Sequence, residues 1–89
     1  MSVNPADIHL ELLRQAIEQR RAVRLQYFSP SSGQFNERTI EPTEAVYEAN
    51  AWRIKAYCRL RQDYREFRLD RMSKLRFADE ERPRKDDIR

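Results

Sequence analysis

Between residues 51 and 77 the chain carries seven arginines and two lysines against three acids, Asp63, Glu66 and Asp70. Arginine presents a planar fork that holds a phosphate through two parallel hydrogen bonds, so a segment rich in it suits a phosphate-bearing partner better than a neutral metabolite. Tyr57 and Tyr64 lie among these cations, and an aromatic ring gives a nucleobase a face to stack on, worth ~1–3 kcal/mol per base in single-strand sites. The clearest stretch is Trp52-Arg53-Ile54-Lys55-Ala56-Tyr57-Cys58-Arg59. Its strict alternation puts Trp52, Ile54, Ala56 and Cys58 on one face of a strand and Arg53, Lys55, Tyr57 and Arg59 on the other. The first set reads as core and the second as a cationic surface carrying one ring. Half-buried strands also expose Arg and Lys simply for solubility, and single arginines such as Arg65 or Arg71 can pair with Asp63, Glu66 or Asp70. Nine cations are nevertheless too many for three local acids.

Other chemistries find less support. Asp63, Glu66 and Asp70 resemble a carboxylate set, but period-two pairing puts Asp63 in a turn and nothing forces the three together. The chain has no Gly-rich phosphate loop, no Ser-His-Asp arrangement, one His and one Cys. His9 falls on the apolar side of a helical segment, as a packing or capping histidine does, and Cys58 falls on the core face, where a thiol is inert. We therefore expect neither an enzyme nor a metal or cofactor site.

The formal net charge of +3 is unevenly spread, with −2 over residues 1–50, +6 over 51–77 and −1 over 78–89. A positive field concentrated in one segment is the footprint of a polyanion site. Hydrophobic residues make up 39% and charged residues 37% of 89, which implies one small domain with a dense charged skin. A chain of this size buries ~60–65% of the surface that its unfolded form exposes. A single cysteine forms no internal disulfide, no apolar run approaches the ~20 residues that span a bilayer, and no signal peptide opens the sequence. A cytoplasmic protein without membrane contact is the expectation.

The elements that position these residues follow from periodicity. Asn4-Pro5-Ala6-Asp7 reads as a helix start with Asn4 as N-cap, and the helix should run to about Arg20. Ile8, Leu12, Leu13, Ala16 and Ile17 form its apolar face, with Leu10 at the edge, opposite Glu11, Arg14, Gln15 and Glu18. The period then changes to two. Val23, Leu25 and Tyr27 mark a first strand that ends in the turn-rich loop Ser29 to Gly33. Phe35 to Ile40 is a second strand limited by Pro42, and Glu44 to Glu48 is a third. Ala49-Asn50 suits a tight hairpin into the Trp52 strand, and Gln62-Asp63 turns into Tyr64 to Leu69. A last extended piece runs from Ser73 to Phe77. The fold class is mainly β with one N-terminal helix, a strongly bent sheet or partly open barrel of five or six short strands. Residues 1–21 form the capping helix, 22–77 the barrel and 78–89 a flexible charged tail. No second helix is placed as a DNA-recognition helix.

These landmarks carry a resemblance. Arg38 before Glu41-Pro42, Ala45-Val46-Tyr47, Trp52-Arg53-Ile54, Ala56-Tyr57-Cys58, Arg61 and Arg65-Glu66-Phe67-Arg68-Leu69-Asp70-Arg71-Met72 stand in the order seen in the WYL domain. The chain is similar to that family from about Ala16 to Phe77. Two departures, Arg53-Ile54 for the name-giving Tyr-Leu and Lys55 at a usually aliphatic position, make the outer face more basic.

The resemblance implies a small Sm-like, SH3-type β-barrel and a regulatory, ligand-sensing role. Such modules are found in bacteria and phages, usually attached to a helix-turn-helix domain, sometimes to an enzyme. Family members with a known ligand bind single-stranded nucleic acid, and many dimerise. By position it implicates Tyr27, Arg38, Arg61, Arg65, Arg68 and Arg71, with Arg59 where the family often has His. The outer face adds Arg53 and Tyr57. The expected partners are single-stranded DNA or RNA, a second copy, and an effector protein or attached DNA-binding domain. An alternative is an interaction or dimerisation barrel without nucleic acid. Strict alternation makes Arg65 and Arg68 diverge; we expect Arg38, Arg65 and Arg71 to converge and Arg68 to be structural.

Overall fold

The structure is a computed structural model that describes residues 5–78. The expected cap at Asn4 and nearly all of the expected charged tail lie outside the described residues. Helix α1 spans Pro5–Gln19 and is followed by β1 (Val23–Ser29), β2 (Gln34–Glu48), β3 (Ala51–Cys58), β4 (Asp63–Arg68), a 3-10 turn (Leu69–Arg71) and β5 (Met72–Phe77). Leu13 and Ala16 are fully buried, whereas Glu11, Arg14, Gln15 and Glu18 are exposed, as the wheel requires; Ile8, expected on the apolar face, is exposed in the first turns of the helix. The helix stops one residue before the expected end because Arg20 adopts φ 56°. The Arg21 amide then donates back to the Ala16 carbonyl at 2.9 Å, the reversal that often ends helices.

One expectation is corrected. The second and third strands are a single strand, β2, which runs through Pro42. Its first part pairs with β1, from Ser29↔Gln34 to Val23↔Ile40, and its second part pairs with β3, from Ile40↔Cys58 to Glu48↔Ala51. Pro42 sits just past this exchange of partners, where the register shifts between Pro42 and Glu44. A bulge tolerates proline because a ladder hydrogen bond is already missing there. Thr43, the bulged residue, donates its hydroxyl to the Lys55 carbonyl at 3.0 Å. The proline therefore bends the strand and does not end it.

The hairpins follow local chemistry. Ala49 and Asn50 both adopt positive φ, 53° and 62°, as a two-residue type I′ turn requires. Gln62, at φ 55°, closes the next turn by donating its amide to the Cys58 carbonyl at 2.7 Å. The fourth strand ends at Arg68, and Leu69 belongs to the 3-10 turn.

All four ladders are antiparallel, in the order β4-β3-β2-β1-β5. A flat five-stranded sheet would hold its edges ~19 Å apart at the usual strand spacing. Here the end of β4 and the start of β5 are joined by three residues of 3-10 turn, ~6 Å of rise. The sheet is therefore strongly curled, with β4 and β5 as its two edges. Its concave face carries the core: Val23, Leu25, Ile40, Ile54, Ala56, Cys58 and Phe67, closed by Leu13 and Ala16 of α1 and by Leu69 and Met72. In β3 the alternation holds for Ile54, Ala56 and Cys58, all fully buried, while Trp52 at the rim is half-buried. On the other face Lys55 is exposed and Arg53 and Tyr57 are half-buried; Arg59, just past the strand, is exposed.

Candidate functional site

The parity that builds the core also builds a site at one end of it. In β1 the face that buries Val23 and Leu25 continues to Tyr27. In β2 Arg38 lies opposite buried Leu25, and in β4 Arg65 lies opposite buried Ala56. Three polar side chains thus extend the concave face beyond its apolar part. The turn after β3 adds Arg61, and the 3-10 turn adds Arg71. Together with Ser29, Pro30, Glu66 and Phe67 they line a mouth of about 260 Å³.

Tyr27 is fixed on two sides. Its ring meets Phe67 edge-on at 5.1 Å, and its hydroxyl accepts the Arg68 backbone N–H at 3.0 Å. The hydroxyl proton remains available to a ligand acceptor. Arg38 donates from Nη1 to the Cys58 Sγ at 3.8 Å, and its buried Nε has no partner. Among the described residues Arg61, Arg65 and Arg71 have no hydrogen-bond or ion-pair partner. Four guanidinium groups facing one concavity with Glu66 as the sole acid in its lining concentrate positive potential there, since low-dielectric walls focus field lines.

The other expected site residues lie elsewhere. Arg53, Tyr57 and Arg68 occupy the convex face of β3 and β4, and Arg59 follows at the end of β3. The cations among them are largely neutralised. Arg59 meets Glu41 at 2.9 Å, Arg53 meets Glu66 at 3.9 Å, and Lys55 meets Glu44 at 4.0 Å. Arg68 binds both oxygens of Asp70, at 3.1 and 2.7 Å. Tyr57 packs edge-on against Tyr64 at 5.2 Å. The Arg68 hydrogen bond holds the Asp70 carboxyl below its ordinary range against the opposing effect of burial, with the charges of Arg68 and Arg71 adding to it. Asp70 in turn raises the guanidinium pKa of Arg68, first by that hydrogen bond. The pairing with Asp70 and Glu66 that was open to Arg65 or Arg71 is thus made by Arg68 and Arg53. Counting acids only within residues 51–77 also missed Glu41 and Glu44, which the β2–β3 ladder brings alongside.

Sequence reasoning did not place Ser29, Pro30 or Glu66 in the site. The available signal was position: the loop starts two residues after Tyr27 on a strand already assigned. Among the described residues no group of three or more His, Cys, Asp or Glu side chains is placed to hold a metal ion. His9 has a lowered pKa through burial, which favours its neutral form. No helix among the described residues is long and apolar enough to cross a membrane.

Comparison with known proteins gives this geometry a context. The DNA-binding transcriptional repressor CapW of Escherichia coli (strain KTE188) is 37% identical over 78 residues, which cover 85% of this chain and 26% of the repressor. The uncharacterized HTH-type transcriptional regulator YobV of Bacillus subtilis (strain 168) is 36% identical over 76 residues, 85% of this chain and 24% of the regulator. The chain thus spans about a quarter of the length of these curated relatives. Among solved structures, proteasome accessory factor B/C (PafBC) of Arthrobacter aurescens matches 89% of this chain and 12% of its own, with a TM-score of 0.79 at 32% identity. The profile of the WYL domain matches residues 8–77, most of the sequence, and the chain belongs to the WYL domain family.

Proposed function

We propose that this WYL domain is a non-enzymatic regulatory module that binds single-stranded DNA or RNA at its basic mouth and thereby controls an attached or partner effector, such as a transcription regulator. The observation that carries this reading is the convergence of Arg38, Arg61, Arg65 and Arg71, poor in counter-charge, beside Tyr27 and Phe67. A mouth of about 260 Å³ falls just below the ~300–1,000 Å³ of clefts that engulf a small molecule. It suits one phosphate and its sugar or base, with the rest of the strand on the rim. The relatives' names, a DNA-binding repressor and a helix-turn-helix regulator, agree with a regulatory setting.

The same reading takes the curled sheet as an Sm-like, SH3-type barrel, the protein as cytoplasmic and its assembly as a homodimer. A specific observation favours the interaction-barrel alternative as a second reading. Strand β4 is an open edge of the sheet that carries exposed Tyr64, with exposed Leu60 in the turn before it, and open edges pair readily with another strand. Fluorescence anisotropy of labelled single-stranded DNA and RNA oligonucleotides at moderate salt separates the two. Binding is expected for at least one of them; no change with either would leave the interaction barrel as the better account.

A further inference from the structure

Arg68 and Asp70 do not line the mouth, yet they bracket the turn that forms part of its wall. Arg68 ends β4, and its backbone N–H is held by the Tyr27 hydroxyl at 3.0 Å. Its guanidinium engages both oxygens of Asp70 in a fork, at 3.1 and 2.7 Å. The next residue, Arg71, enters the mouth without a hydrogen-bond partner of its own. Leu69, between Arg68 and Asp70, is buried in the core at 4% exposure, and the Met72 amide closes the turn on the Leu69 carbonyl. Besides Glu66 in the mouth lining, the carboxylate one residue before Arg71 is a second acid that could compete with an incoming phosphate for it. Asp70 already feels the Arg71 charge. Its carboxylate is instead held at two points by Arg68, and a bidentate arginine–carboxylate pair is both strong and fixed in direction.

We propose that Arg68 and Asp70 are a positioning pair for the basic mouth: Arg68 holds the Asp70 carboxylate away from Arg71, which leaves the Arg71 guanidinium aimed inward and available to a nucleic-acid phosphate. The proposal rests on the single-strand reading above. Arg68 then contributes to affinity without touching the ligand. Its removal frees Asp70 to neutralise Arg71, and removal of both charges leaves Arg71 available again.

The opposite signs of these two steps make the test. Anisotropy of a fluorescein-labelled oligothymidylate, or its RNA counterpart, is measured with the full chain and with Arg68→Gln, Asp70→Asn and the double variant. Melting temperature and the emission of Trp52, the chain's single tryptophan, which shares a groove with Asp70, check that the fold and the turn persist. Arg68→Gln should weaken binding about tenfold, the scale of one lost charge-assisted hydrogen bond. Adding Asp70→Asn to Arg68→Gln should recover most of that loss. Arg68→Lys, which keeps a charge on Asp70, should fall between parent and Arg68→Gln. A double variant as weak as Arg68→Gln would overturn the proposal, because Arg68 would then be meeting the phosphate itself. An Arg68→Gln protein that binds like the parent would overturn it as well. A parent that binds neither oligonucleotide would overturn the single-strand reading and this proposal with it.

Discussion

The concave mouth and the convex face of β3 and β4 carry similar numbers of cations, yet their surroundings differ. Arg38, Arg61, Arg65 and Arg71 share the mouth with a single lining acid, Glu66. Across the sheet Arg53, Lys55, Arg59 and Arg68 meet Glu66, Glu44, Glu41 and Asp70 at 2.7 to 4.0 Å. Exposed pairs of that kind add little to stability, but they offset part of the positive charge of that face. Positive charge along a segment thus does not by itself mark a concentrated positive field. What concentrates it is charge left uncompensated in a concavity, and the difference is set by which acids the ladder brings alongside.

The two faces share one core, and the largest expected effect breaks both. Ile54 is fully buried beneath them, and Ile54→Ala should cost ~2–5 kcal/mol of stability through lost burial and a cavity. Its neighbour Lys55 is exposed and paired only at 4.0 Å, so Lys55→Ala should stay within about 0.5 kcal/mol. Urea unfolding of both variants checks this; equal losses would mean that the assigned alternation is wrong.

That alternation was legible because a half-buried strand writes its two faces into every second residue, as Ile54, Ala56 and Cys58 do. The mouth was legible in part for the same reason. Arg38 and Arg65 share parity with core residues, so convergence at the end of the concave face followed from strand curvature. The rest depended on information absent from local sequence. Pro42 looks like a strand end when read alone, but β2 runs on past it, just beyond the exchange of partners at Ile40 and beside a register shift that accommodates it. Glu41 and Glu44 lie in a segment of net negative charge, and only the register Glu44↔Lys55 and Glu41↔Tyr57 reveals that they neutralise the outer face. That Arg59 is paired with Glu41 and lies apart from the mouth is therefore a fact of the ladder, not of the local sequence.

A smaller effect sharpens the contrast by salt. If Arg65 meets a phosphate, Arg65→Gln should make the log–log dependence of oligonucleotide affinity on salt shallower by about 0.7, the value of one single-strand phosphate contact. Arg59→Gln should leave the slope unchanged, since Glu41 already holds that charge. Parallel slopes for parent and Arg65→Gln would place the phosphate elsewhere.

Acid separates the faces too. The Asp70 pKa is lowered on folding, so its contribution is present above the ordinary carboxylate range and is lost as pH falls through its folded value. Thermal melting should show a shallower fall in stability for Asp70→Asn than for the parent as pH drops below about 4; an identical fall would remove the Arg68–Asp70 clamp from the account. A small effect belongs to the outer aromatic pair. Tyr64 is 68% exposed and meets Tyr57 edge-on, so Tyr64→Ala should cost at most ~0.5–1.5 kcal/mol and leave oligonucleotide affinity unchanged. Loss of affinity would instead make this pair a stacking platform.

The most direct measurement removes the same formal charge from each face. Arg38→Gln/Arg65→Gln/Arg71→Gln and Arg53→Gln/Lys55→Gln/Arg59→Gln each subtract three positive charges, so any effect of net charge alone is equal in the two proteins. With folding confirmed by thermal melting, the first variant should lose binding of a single-stranded oligonucleotide by at least about a hundredfold, as charge-assisted contacts are removed together, while the second stays within about threefold of the parent. Equal losses from the two faces would contradict the account, because the domain would then attract nucleic acid through its overall field and not through the mouth.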